Sequence, residues 1–410
     1  MEQVIFYLII GLLLFDFILE RFLDYLNATR WSEMLPDEVK GIYNEEEYRK
    51  QQAYEKTNHR FSMLTSSFSF VLVMLMFLFG GFAFVDHIAR TISANPIVTA
   101  LIFFGILMLA SDLLNTPFSA YDVFSIEERF GFNKTTPKTF VFDKLKGWLL
   151  GAVIGGGILA LMVFIYLKTN NLFWVYVWLV VSGFSIFMAL FYSNLIVPLF
   201  NKQTPLEDGE LKQAINQFAE KAGFKLNNIY VIDGSKRSTK ANAYFTGLGA
   251  KKRVVLYDTL IADLTTDELV AVLAHEIGHY KKKHVVSSLL LGILQTGLML
   301  YVFSLLVDSP ALSEALGVPE PVFHIGLIAF GVLYSPLSTI IGLGMNILSR
   351  NNEYQADAFA AEHFNAESLA SALKKLSVKN LSNLRPHPAY VFFHYSHPTL
   401  LQRLAKLKNR

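Results

Sequence analysis

The stretch "AVLAHEIGHYKKKHVVSSLLLGILQTGLMLYVFSLLV", residues 271–307, joins two kinds of chemistry. Its first part carries His275-Glu276-Ile277-Gly278-His279, two imidazoles and a carboxylate at H-E-x-x-H spacing. Its second part, Val285 to Val307, is apolar and exceeds the roughly 20 residues that cross a hydrocarbon core. A polar metal-type motif thus abuts a membrane segment.

Composition agrees with the second part. The 410 residues are 53% hydrophobic and 14% aromatic, and only 17% are charged, with a mean hydropathy of +0.37. A usual soluble chain is about 25% charged, so a polytopic, mainly α membrane protein is expected. The formal charge of +2 carries no basic tract of the kind that binds nucleic acid. Zero cysteines exclude disulfides, thiol catalysis and Cys-ligated zinc, so any metal site must use His, Asp and Glu.

Seven apolar stretches have spanning length: Val4–Leu19, Met63–Val85, Ile97–Leu114, Trp148–Leu167, Leu172–Phe200, Val285–Val307 and Val322–Leu348. The first lacks a basic start and a small-residue cleavage site, and reads as a retained span. Segments 20–61, 118–146, 201–284 and 349–410 hold 34 of the 36 Lys and Arg residues; Arg90 and Lys168 are the other two. The positive-inside rule then puts the N-terminus outside and the C-terminus in the cytoplasm. Asp16, Asp112, Asn194, Gln295 and Asn346 lie within spans and Asn115 at the end of one, where polar groups face a bundle interior or water, or bond between helices. Gly151, Gly155, Gly156 and Gly157 predict close helix packing in the fourth span.

The organisation expected is a five-span region over 1–200, a cytoplasmic segment over 201–284, two more spans over 285–348 and a cytoplasmic segment over 349–410. Within 201–284, residues 206–222 have helical periodicity ending at Gly223. "NIYVID" (228–233) and "RVVLYD" (253–258) read as strands, and "NAYFTGLG" (242–249) as an edge strand running into a glycine turn. Thr265 to Glu268 form a capping box that opens the helix carrying the motif.

On that helix His275 and His279 are four residues apart and share a face, where two imidazoles hold one Zn²⁺. Glu276 is placed to take a proton from water activated by that ion. A catalytic zinc needs a third protein ligand and an open position. The extended signature with a third His is excluded, because Lys282 and Val285 occupy its positions. "SRNNEYQADAFAAEHF" (349–364) instead supplies Glu353, with Asp357 one turn later to accept the far N–H of a ligand His. His59, His87, His284, His324, His363, His387 and His394 have no ligand spacing and read as structural or exposed.

With these residues in place, the chain resembles the type I CAAX prenyl proteases, integral-membrane zinc metalloproteases of the gluzincin type. The resemblance runs over essentially the whole chain and includes "IEERFGFNKTT" (126–136), "NAYFTG" (242–247), "HEIGH", "EYQADAFA" (353–360) and "SHPTLLQRL" (396–404). It implies seven helices around an aqueous chamber, with a small α+β zincin-like domain at the cytoplasmic end. It implies one Zn²⁺ per chain on His275, His279 and Glu353, Glu276 as base, and Asp357 as an acid beside the ligands. It further implies that His397 stabilises the oxyanion, that Asn242, Ala243 and Tyr244 form the substrate-binding edge strand, and that Arg403 partners the acidic helix at the substrate side. From the residues alone, His397-Pro398 reads first as a helix start. An edge strand is a usual way to hold an extended peptide.

The activity implied is endoproteolysis near the C-terminus of isoprenylated or membrane-associated polypeptides. The alternative within enzymes is a quality-control protease that needs no lipid. A seven-span transporter or receptor with an incidental H-E-x-x-H is the competing class, separable by zinc content and dependence on Glu276. The lack of long insertions suits a bacterial member in the inner membrane, the alternative being the endoplasmic reticulum.

Overall fold

Long helices dominate the computed structural model, which describes residues 1–169, 172–224, 229–246 and 253–408. Among the described residues six helices are long and apolar enough to cross a bilayer: Glu2–Ala28, Glu45–Leu78, Pro96–Glu127, Pro137–Thr169, Phe173–Phe200 and His284–Ser304. Phe323–Leu333 and Ser335–His363, bent by 56° at Tyr334, make a seventh. Leu8, Phe15, Ile18, Val71, Leu149, Leu179, Leu294 and Ile340 all point outward from these helices. So much apolar surface is unstable in water and suited to lipid.

Two expectations about the spans change. The second does not run to Val85. Its helix stops at Leu78, Gly80 takes a φ of +67°, and a separate amphipathic helix covers Gly81–Ile92. Hydropathy alone could not see this, because the apolar run continues across the turn. Only two of the four glycines of the fourth span are packing contacts. A Cβ at Gly155 or Gly157 would meet nothing within 4 Å, and only Gly151 and Gly156 have neighbours, Met108 and Leu101. Residues Gly151–Gly155 instead form one π-helical turn within the Pro137–Thr169 helix.

The H-E-x-x-H motif meets the membrane across a helix break. The motif helix, Thr266–Lys281, is not continuous with the sixth span. Lys283 adopts φ 58° and ψ 27° between them, a conformation that costs L side chains about 1–2 kcal/mol. The Ser335–His363 helix, by contrast, runs unbroken from the seventh span through Glu353 and Asp357.

Among the described residues four strands cover Gln203–Pro205 (β1), Ile229–Ile232 (β2), Ala243–Thr246 (β3) and Arg253–Tyr257 (β4). Their order is β1-β2-β4-β3, with β2 and β4 parallel and the outer pairs antiparallel. β3 is therefore an edge, as its sequence predicts. The three residues of β1 had no sequence signal, being too short for alternation to register. The predicted 206–222 helix is observed at Glu210–Lys221, and Gly223 turns it off with a φ of +61°. The glycine turn expected at 247–249 lies outside the described residues.

The capping box forms as written. Thr265 Oγ1 accepts from the Glu268 N–H, and Glu268 Oε2 accepts from the Thr265 N–H. Leu269, Val270, Ala271, Leu273, Ala274 and Ile277 are then buried on every side, so the motif helix is the core of its domain.

Candidate metal centre

The motif helix packs directly on the Ser335–His363 helix, and Gly278 makes that approach possible. A Cβ at 278 would lie 3.1 Å from the Ala356 Cα and from the Phe359 Cβ. With the helices this close, Glu353 faces both motif histidines. Its carboxylate lies 3.5 Å from His275 Nε2 and 3.2 Å from His279 Nε2, and the two Nε2 atoms are 3.1 Å apart. Ligand atoms on a tetrahedral zinc, with bonds of about 2.0–2.1 Å, would be about 3.3 Å from one another.

The donor set fits a cation. His275 directs Nδ1 at Asp357 Oδ1, 2.9 Å away, which assigns the ring proton to Nδ1 and leaves a lone pair on Nε2. His279 Nδ1 faces His284 Nδ1 at 3.0 Å, leaving its Nε2 in the same state when Nδ1 carries the proton. Two lone pairs and a carboxylate therefore converge on one point, an arrangement that a cation relieves. Among the described residues these three are the cluster with metal-binding spacing.

Arg403 secures the acidic helix. Its Nε donates to Asp357 Oδ2 at 2.8 Å, its Nη2 donates to Oδ1, and its Nη1 lies 3.6 Å from Glu353. Asp357 is 3% exposed, so this pairing offsets the cost of burying its charge. Arg403 lines the cavity, yet its guanidinium is committed to the carboxylates rather than held free for a ligand.

Glu276, half-buried, opens onto a cavity of about 380 Å³. Burial lifts its carboxyl above the usual range. The same cavity is lined by Asn242, Ala243, Tyr244, His397 and Asn380. His397 is exposed, with Nε2 3.3 Å from Glu353 Oε1 and Nδ1 3.0 Å from Ser396 Oγ. The structure thus gathers all ten residues singled out in the sequence around one centre.

Other contacts had little or no sequence signal. Asn380 clasps the backbone of Ala241 at the start of the edge strand, accepting from its N–H and donating to its carbonyl. Lys240 is tied to Glu127 and Tyr54 at 2.8 and 2.9 Å. The 126–136 stretch therefore braces the lead into β3, through Asn133, Lys134 and Phe132 against 237–239 as well. His284, which has no ligand spacing in the sequence, is buried and sits against a motif histidine. Its i+5 spacing hid it, because five residues do not share a face on an unbroken helix.

Residues 24–202 match the family profile described as CAAX prenyl protease N-terminal, five membrane helices, and residues 205–410 match Peptidase family M48. The chain is 36% identical to CAAX prenyl protease 1 of Saccharomyces cerevisiae, over 98% of this chain and 94% of that one. It is 35% identical to the Arabidopsis thaliana homolog, over 97% and 96%, and 31% identical to the human homolog, over 91% and 88%. The crystal structure of S. mikatae Ste24p superposes with a TM-score of 0.94 at 34% identity, covering 98% of this chain and 99% of that one. Near-complete coverage of eukaryotic relatives means that compactness does not mark a bacterial chain.

Proposed function

The chain belongs to the CAAX prenyl protease family of M48 peptidases, multi-pass membrane metallopeptidases that hydrolyse peptide bonds, and we propose that one zinc ion on His275, His279 and Glu353 serves this activity. The observation that carries the assignment is the convergence of three acceptor atoms at tetrahedral spacing, with a proton partner behind each imidazole.

Bound there, zinc supplies Lewis acidity and lowers the pKa of the attacking water towards about 7. Glu276 takes that water's proton; burial raises its basicity, and it lines the cavity where the peptide would lie. Arg403 and Asp357 hold the His275 ring in one tautomer, and with both Asp357 oxygens engaged, its role is orientation. His397, with Ser396 at Nδ1, presents Nε2 to the cavity, suited to donate to a developing oxyanion. β3 offers the peptide an unpaired strand edge beside the ligands, with Asn242 exposed at its start.

The substrate we propose is the C-terminal segment of an isoprenylated polypeptide. Support comes from the names of relatives aligned along nearly the whole chain and from a catalytic cavity joined to a spanning bundle. The basic-residue asymmetry supports a cytoplasmic site. Purified protein incubated with matched prenylated and unprenylated peptides, with products mapped by mass, tests the substrate. Preference for the prenylated peptide and release of its C-terminal residues are expected. Equal turnover would instead favour the lipid-independent protease. A cysteine introduced at Lys282 tests the topology, since an impermeant thiol reagent should reach it only from the cytoplasmic side.

A further inference from the structure

The helix break at Lys283 places a buried imidazole directly behind His279. In a continuous helix, residues 279 and 284 would point roughly 140° apart. With Lys283 in the left-handed region, the chain turns back, and the two rings meet edge to face with centroids 5.1 Å apart. Their Nδ1 atoms are 3.0 Å apart, and His284 Nε2 lies 3.5 Å from Gln355 Oε1 on the Glu353 helix. The backbone thus holds a conformation that L side chains rarely adopt, and the result is this contact.

We infer that His284, backed by Gln355, is the positioning partner of His279: it accepts the His279 Nδ1–H and so keeps Nε2 turned to the zinc. The inference rests on the proposed reading of His279 as a zinc ligand. Only one proton can lie between the two Nδ1 atoms. With zinc on His279 Nε2, that proton belongs to His279 Nδ1, and His284 accepts it. The His284 proton is then on Nε2, directed at the amide oxygen of Gln355. The two ligand imidazoles therefore have separate supports, Asp357 for His275 and His284 for His279.

Charge explains why the second support is neutral. A zinc ion held there would balance Glu353 and Glu276, and Arg403 pairs with Asp357. A carboxylate in place of His284 would add a buried negative charge with no partner, which is costly. A neutral imidazole supplies the acceptor without that charge. His284 is 6% exposed, so its own ring nitrogens need partners, and His279 and Gln355 provide them.

Zinc affinity of the full-length, detergent-solubilised protein, measured by competition with a chromophoric chelator, tests this. His284→Leu fills the space but offers no acceptor, and should weaken zinc binding about 10- to 100-fold. His284→Asn puts an amide oxygen where Nδ1 stood, and should stay close to wild type. The ligand-field spectrum of the cobalt-substituted protein should change in His284→Leu and not in His284→Asn. Wild-type affinity in His284→Leu, or equal losses in the two variants, would overturn the inference. If His284→Leu does not fold, His284→Gln replaces it, since its oxygen lies at the Nε2 position and leaves His279 unmet. Equal affinities for His284→Asn and His284→Gln would then overturn it. Zinc retained in His279→Ala would sink the ligand reading beneath, and the inference with it.

Discussion

Gly278 and Ala356 are the point where the helices carrying His275, His279 and Glu353 touch: a Cβ at 278 would be 3.1 Å from the Ala356 Cα and 3.2 Å from its carbonyl oxygen. These neighbours are backbone atoms of a long helix that continues into a membrane span, so they yield little. The glycine inside H-E-x-x-H is thus what lets Glu353 reach both histidines.

Gly278→Val should push the helices apart and cost about 1–3 kcal/mol of stability, as overpacking does. Zinc affinity should fall with it, because ligand distances depend on this separation. Thermal unfolding and chelator competition check the two effects. A variant with wild-type zinc affinity would mean that the ligands tolerate a wider helix spacing.

Asp357→Asn keeps the shape but loses the charge that pairs with Arg403 and the His275 N–H. Removing one partner of a buried pair leaves the other unpaired, at about 3–5 kcal/mol. Zinc affinity or turnover should drop roughly 10- to 100-fold. Unfolding curves and metal titration measure this, and unchanged values would reduce Asp357 to a packing residue.

Glu268 ties the start of the motif helix to the Ala366–Lys379 helix through Ser371 Oγ at 2.7 Å and Lys375 Nζ at 2.8 Å. Burial pushes its carboxyl up, but hydrogen bonds from Lys375, Ser371 and the Thr265 N–H outweigh this and hold it at about 2, against the usual 4.5. A folded-state pKa below the unfolded one stabilises the fold above about pH 4.5, and the contribution is lost as pH falls towards 2. Melting temperature should therefore decline more steeply in the wild type than in Glu268→Gln between these values. Parallel profiles would mean that the carboxylate carries no net stability.

Much of the centre was legible in the sequence because its parts are local. The i,i+4 spacing of His275 and His279, the capping box at Thr265 and the Glu353–Asp357 turn each need only a few residues to be read. What stayed hidden depends on backbone events that composition does not encode. The turn at Gly80 breaks an apolar run without changing its hydropathy, and the bend at Tyr334 splits the seventh span. The left-handed Lys283 carries no glycine to announce it, so neither the helix break nor the His284 contact shows in the sequence. Asn380 and Lys240 act on the edge strand from far along the chain, where spacing gives no signal.

The most direct test is Glu276→Gln, assayed for zinc content and peptide cleavage on the same preparation. Its three neighbours His275, His279 and Glu353 keep their ligand atoms, but an amide cannot take the water's proton. Zinc should remain near one per chain as in the wild type, while turnover falls at least about a hundredfold. Full cleavage by a zinc-loaded Glu276→Gln protein would contradict the account.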